Sequence, residues 1–254
     1  MNDTTAAPQP GSGRARLRLR DFVGRNDEGL APGQRAVSDF PRFSDRPWRP
    51  LPVVPEPPTI RIDGACAHPF EIPISELDTI GRREVTADFN CVTTWCVRGL
   101  RWRGVPFVEF YSKIVVPRAV PDEHASWLRI FGLDGAAACV ALEDALHEDV
   151  LLADALAGEP LSPTHGAPLR FVSPAQYAYK SVKHVARIEF CVAQPRPPAG
   201  AKEHPRARVE LEERHMRLPP WLVRWPYRLV APLTALIAER AAERTRSNRA
   251  TPGG

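Results

Sequence analysis

Apolar and polar positions along this chain fall into short runs separated by Gly, Pro and Asp. Residues 59–62 (Thr-Ile-Arg-Ile) alternate before Asp63-Gly64, as a strand entering a tight turn does. Residues 70–74, with Pro73 inside, predict a second short strand at a sheet edge. Ser75-Glu76-Leu77-Asp78 predicts an N-capped helical turn. Residues 84–92 predict a strand that ends at Cys91. After Gly104-Val105-Pro106, the positions of Phe107, Phe110, Tyr111 and Ile114 have the i, i+3, i+4, i+7 spacing of an amphipathic helix with Pro in its first turn. Residues 127–131, 138–142, 150–153, 169–172 and 182–190 are further strands. Many short strands and few helices predict an α+β, mainly-β domain. No internal repeat and no Gly-rich phosphate loop is present.

Composition sets the boundaries. The 28 prolines concentrate at both ends, ten in residues 1–60 and nine in residues 192–254. A Pro-poor centre therefore defines a compact domain over 58–191 with extended arms. Residues 1–20 are expected to be disordered. Residues 21–57 carry Phe22, Phe40, Phe43 and Trp48, too many aromatics for a free linker, and predict an arm packed on the domain. The net charge of +4 divides into +6 over residues 192–254 and −2 elsewhere, so the central domain is not a nucleic-acid-binding core. Five cysteines do not make a disulfide framework, and neither an export signal nor an 18-residue apolar run is visible. These features predict a cytoplasmic protein.

Three clusters could carry chemistry. Cys91 stands where a strand gives way to a loop, which can aim a thiolate into a cleft or leave an inert core thiol. A zinc site with Cys96 would need two more ligands at matching spacing, and none is near. His165-Gly166-Ala167-Pro168-Leu169-Arg170 places an imidazole and a guanidinium where a turn meets a strand, a grip for an anion or a plain surface turn. Ser181 and Lys183 would share one face of a strand and could meet one phosphate, or form a solvated edge.

Taken together, the clusters resemble the molybdopterin-binding oxidoreductases of the sulfite oxidase superfamily. Asp88-Phe89-Asn90-Cys91-Val92-Thr93-Thr94-Trp95 and Arg101-Trp102-Arg103-Gly104-Val105-Pro106 are similar to the cysteine loop and following helix of bacterial members. Gly158-Glu159-Pro160-Leu161, His165-Gly166 with Pro168 and Arg170, and Ser181-Val182-Lys183 resemble the family's closing segment. Phe40-Pro41-Arg42-Phe43 resembles its pterin-contacting arm.

The resemblance implies an enzyme holding molybdenum through Cys91 and carrying out two-electron oxygen-atom transfer on a small sulfur- or nitrogen-containing substrate. It implies that His165, Arg170, Ser181, Val182, Lys183 and Phe43 bind the molybdopterin. The implied partners are a small substrate and a separate electron carrier, with no haem and no nucleic acid. The alternatives are a molybdopterin carrier without turnover and a cofactor-free interaction module. The residues after Cys91 are neutral up to Arg98, unlike the arginine-rich loops of enzymes that act on sulfite. Finally, Trp221, Leu222, Trp225, Leu229, Leu233 and neighbouring apolar residues are interrupted by Pro226 and Pro232. The prolines disfavour one continuous helix. We therefore expect this arm to strap the domain, with its aromatics filling a groove, in preference to associating with a membrane.

Overall fold

A computed structural model describes residues 29–38, 40–43, 47–198, 200 and 203–250, so the expected disorder of residues 1–20 lies outside the described residues. The fold is α+β and mainly β. Its strands are β1 (Arg35–Ala36), β2 (Thr59–Gly64), β3 (Phe70–Pro73), β4 (Arg83–Asn90), β5 (Trp95–Pro106), β6 (Trp127–Gly132), β7 (Ala137–Ala141), β8 (Leu151–Leu156), β9 (Glu159–Pro160), β10 (Arg170–Val172) and β11 (Val185–Cys191). Its α-helices are α1 (Phe107–Phe110), α2 (Val116–Ala119), α3 (Leu142–Ala145) and α4 (Pro220–Ala250).

The strands form two sheets. One runs β3-β2-β11-β6-β7, and β3 lies at its edge, where Pro73 costs no ladder bond. The other runs β1-β5-β8-β10, with β4 paired to β5 and β9 to β8. A π-helical turn (Tyr111–Val115) joins α1 to α2 in one helical run. Phe107, Phe110 and Ile114 from this run are buried in a core with Ile60, Ile62, Leu128, Ile130 and Ile188 from the first sheet. A second core on the β4–β5–β8 sheet gathers Phe89, Cys91, Trp95, Trp102, Leu151 and, from α4, Ala231 and Ala235.

Several elements differ from the sequence pattern. The turn at Ile74–Thr79 is a 3-10 helix whose N-cap is Pro73, with no side-chain cap, so Ser75 does not cap it. The central strand β5, twelve residues long, was not among the expected elements. Its alternation of Leu100, Trp102 and Gly104 inward with Arg101 and Arg103 outward is interrupted by Gly99, which adopts φ 59°. Gly104 is required by packing, because a Cβ there would stand 2.2 Å from the Leu152 carbonyl oxygen.

The largest difference is at the C-terminus, where residues 220–250 form one helix with both prolines inside it. An interior proline costs a helix roughly 3 kcal/mol, so docking must offset that loss. Ala231, Ala235, Ala238 and Ala242 make a buried stripe that lets the helix backbone approach the domain closely. Pro226 stands on the exposed side. The two tryptophans do not fill a groove as expected: Trp221 and Trp225 are 67% and 68% exposed, as is Leu229 at 77%.

Candidate functional site

The β4–β5 hairpin builds the Cys91 site. Its four-residue loop is pinned by Cys91 N–H donating to the Trp95 carbonyl (2.8 Å) and Thr94 N–H donating to the Cys91 carbonyl (3.1 Å), with Thr94 at φ 75°. This turn directs the Cys91 thiol onto a cavity and leaves it 3.1 Å from the Thr93 hydroxyl. Burial pushes the Cys91 pKa up to about 11, with Thr93 pulling the other way. The free thiol therefore keeps its proton at neutral pH. Cys96, one strand position into β5, is fully buried, does not line the cavity and is pushed up to about 12, again by burial.

The cavity has a volume of about 880 Å³. All seven residues singled out in the sequence line it: Phe43, Cys91, His165, Arg170, Ser181, Val182 and Lys183. Arg170, the first residue of β10, is buried among Phe89, Trp102 and Phe40, with its guanidinium 4.8, 5.2 and 5.6 Å from the ring centres. Its Nη1 donates to the His165 carbonyl at 3.0 Å, while its Nε has no partner. No carboxylate forms an ion pair with Arg170 among the described residues; burial lowers its pKa to about 9, with the Asp134 carboxylate on the same cavity pulling the other way. His165 stacks on Phe40 with ring centres 4.7 Å apart, and its Nδ1 lies 2.9 Å from the Ser162 hydroxyl. The arm bearing Phe40 is held by β1, which pairs in parallel with β5 at Trp95 and Cys96.

One local expectation is corrected here. Ser181 and Lys183 do not share a strand face, because residues 181–184 form a bend between the 3-10 turn Ala178–Lys180 and β11. His184 takes φ 53° and its Nδ1 lies 2.6 Å from the Ala167 carbonyl, which breaks the extended run before Val185. The bend still brings both residues to the cavity. The Ser181 hydroxyl accepts from the Ser173 N–H at 3.2 Å, and Lys183 Nζ donates to the Phe43 carbonyl at 3.2 Å. The missing side chain of Gly166 makes room for Lys183, whose Cβ would lie 3.1 Å from a Cβ built there.

Sequence reasoning missed the residues that close the site from outside the domain. Gln34 Nε2 donates to the Cys91 carbonyl at 3.1 Å. Arg214, fully buried, donates to the carbonyls of Val92 (2.7 Å) and Pro32 (2.8 Å) and pairs with Glu212 at 2.9 Å. It ties the arm, the Cys91 loop and the C-terminal segment together. Leu222, Pro226, Tyr227, Val230, Leu233 and Ile237 of α4 wall one side of the cavity. Nothing in the pattern around Arg214 announces this, since Glu212-Glu213-Arg214 reads as a solvated charge run.

A cavity with one buried thiol on its wall and a buried guanidinium behind an aromatic cage has the chemistry to hold a large anionic group beside a soft ligand. The comparisons agree with this class. The family model described as the oxidoreductase molybdopterin binding domain matches residues 49–197, and the chain belongs to that family. It is an oxidoreductase of the sulfite oxidase type. The chain is 32% identical over 162 residues to the "uncharacterized oxidoreductase YuiH" of Bacillus subtilis, covering 64% of this chain and 74% of that protein. It is 29% identical over 157 residues to the protein-methionine-sulfoxide reductase catalytic subunit MsrP of Xanthomonas axonopodis pv. citri, covering 55% and 46%. The fold is similar to the crystal structure of the sulfane dehydrogenase SoxCD from Paracoccus pantotrophus, with a TM-score of 0.51, 19% identity, and coverage of 69% and 47%. The chain thus spans about half the length of the last two proteins. The matched region stops before α4 begins.

Proposed function

We propose that this chain transfers an oxygen atom to or from a small, neutral sulfur- or nitrogen-containing molecule, with molybdenum–molybdopterin held in the Cys91 cavity. The observation that carries the reading is the juxtaposition on one cavity of a lone buried thiol and a buried guanidinium with no carboxylate partner. A buried cation without an ion-pair partner is costly, Asp134 on the same cavity offsets only part of that cost, and an anionic group arriving beside Arg170 lowers it further. The residues present therefore fit the cofactor. When bound, it supplies two-electron oxygen-atom chemistry.

The chain's own residues supply the rest. Cys91 would give the metal a soft thiolate, releasing its proton as the cation binds, because burial otherwise holds the proton in place. Arg170 and Lys183 would neutralise the terminal phosphate, and the Ser181 hydroxyl would donate to it. His165, fixed between Ser162 and the Phe40 carbonyl, would hold the pterin, with Phe43 packing beside it. Electrons would pass to or from a separate carrier.

The substrate class follows from charge. An anion such as sulfite entering this cavity costs several kcal/mol unless a fixed cation receives it. The arginines that follow Cys91 in sequence, Arg98, Arg101 and Arg103, do not line the cavity: Arg101 is turned to Glu84 (3.7 Å) and Arg103 to Asp154 (3.8 Å) on the outer face of β5. Arg42 donates to the carbonyls of Ala238 and Arg49. Thr93 and Trp95 line the cavity beside the thiol, and the Thr93 hydroxyl, 3.1 Å from the Cys91 sulfur, is an uncharged donor suited to a neutral oxide oxygen. Relatives named methionine-sulfoxide reductases agree with such a substrate. Steady-state kinetics test the reading: a neutral S-oxide or N-oxide with a reduced dye should give a higher kcat/KM than sulfite with an artificial acceptor. Preference for sulfite over every neutral oxide refutes it.

A further inference from the structure

The outer face of α4 is apolar, and its residues Trp221, Trp225, Leu229 and Leu236 serve neither the cofactor cavity nor the proposed chemistry. Trp221, Trp225, Leu229 and Leu236 are exposed, and so are Leu222, Val230 and Leu233, which also form the cavity rim. At 100° per residue these positions share one side of the helix, opposite the buried alanine stripe. The only charged residues between Trp221 and Ile237 are Arg224 and Arg228, and both are half-buried. Arg224 is paired with Glu212, and Arg228 packs on the Trp225 ring at 5.6 Å. An uncharged, largely solvent-facing surface over more than four helical turns is unusual for a water-soluble protein.

We propose that this face docks the protein on an anionic lipid surface, with α4 lying in the plane of the interface. Three observations favour lipid over other occupants. First, tryptophan, which has an apolar body and a polar N–H, is suited to the headgroup boundary, and two exposed tryptophans stand on this face. Second, the apolar stretch is bracketed by the exposed arginines Arg217 on one side and Arg240 and Arg244 on the other, with Glu243 the exposed acid among them. The exposed Arg240 and Arg244 thus place an attraction to anionic headgroups beside this face. Third, a second copy of the chain would set one arginine rim against another in either orientation, which a lipid surface avoids. Among the described residues no helix is long and apolar enough to cross a membrane, so the helix lies on the surface. The cavity rim on the same helix then sits next to the lipid.

The test uses the full, cofactor-loaded chain with phosphatidylcholine vesicles, with and without phosphatidylglycerol, read by co-sedimentation and tryptophan emission. The expected result is a blue-shifted emission and binding that strengthens with phosphatidylglycerol. Trp225→Glu combined with Leu229→Glu, which leaves the cavity lining untouched, should lower partitioning about a hundredfold. Arg240→Glu with Arg244→Glu should lower it about tenfold on anionic vesicles only. Melting curves and visible absorption matching the wild type establish that each variant is folded and loaded. Wild-type protein that binds neither kind of vesicle overturns the proposal. Self-association abolished by the Trp225/Leu229 variant, without vesicle binding, also overturns it and assigns the face to a second copy.

Discussion

Replacing Arg170 by methionine separates a cofactor-binding role from a structural one, because the two make opposite predictions. In the cofactor-free protein the guanidinium is buried with its Nε unpartnered. Burial lowers its pKa from 12.5 to about 9. At about 1.4 kcal/mol per tenfold in acidity, that fall corresponds to a cost on the order of 5 kcal/mol for keeping the charged form folded. Contact with three aromatic rings returns roughly 2 kcal/mol or more. The net cost is then about 1–3 kcal/mol. Because the folded pKa is the depressed one, this cost is fully present below pH 9 and disappears only as the pH climbs from about 9 towards 12.5. Methionine has a similar length, suits the aromatic cage and carries no charge. Cofactor-free Arg170→Met protein should therefore melt higher at pH 7, by about 2–4 °C per kcal/mol gained. The same variant loses a charge-assisted contact worth about 1.5–3 kcal/mol, so it should retain molybdopterin about ten- to a hundredfold less tightly. Paired melts of stripped and loaded protein, with molybdenum-to-protein ratios after dialysis, measure both effects. A lower melting temperature together with unchanged retention would refute the argument, since it would make Arg170 a structural cation.

Three further predictions concern neighbouring groups. Cys91→Ser should abolish bound molybdenum and turnover while leaving the melt of stripped protein nearly unchanged, whereas Cys96→Ser should keep the metal; metal analysis of both variants decides. Arg214→Met leaves Glu212 with Arg224 alone and removes the donors to the Val92 and Pro32 carbonyls. It should destabilise the protein by about 3–5 kcal/mol, read by denaturant unfolding. Lys183→Ala should weaken cofactor retention more at low salt than at high salt, where the ammonium–phosphate attraction is already screened, checked by the molybdenum-to-protein ratio after dialysis at each ionic strength.

Much of the fold was legible because strand and turn chemistry is local. The alternation at 59–62 and the Asp63-Gly64 pair sufficed to place β2, and the spacing of Phe107, Phe110 and Ile114 sufficed to place the helical run. Strand β5 was hidden because Gly99 and Gly104 look like breaks, although Gly104 is there for close approach to β8. The proline rule failed at α4 because it describes an isolated helix, whereas the alanine stripe docks this one. At the site, the cysteine loop and the His165–Lys183 segment were legible as motifs. The closure by Gln34, Arg214 and α4 was not, because those contacts join residues 57 to 182 positions apart and leave no spacing in the sequence.

The cavity walls also fix an order of events in the life of the chain. Phe40 and Phe43 near the start face Leu222 through Ile237 near the end, and Arg42 reaches the Ala238 carbonyl across 196 residues while Leu51 N–H reaches the Thr245 hydroxyl across 194. During synthesis the two sheets can form while α4 is still inside the ribosome. The chamber stays open along one side until α4 emerges and that long loop closes. Anything the chamber encloses is sealed in only when α4 docks against the arm.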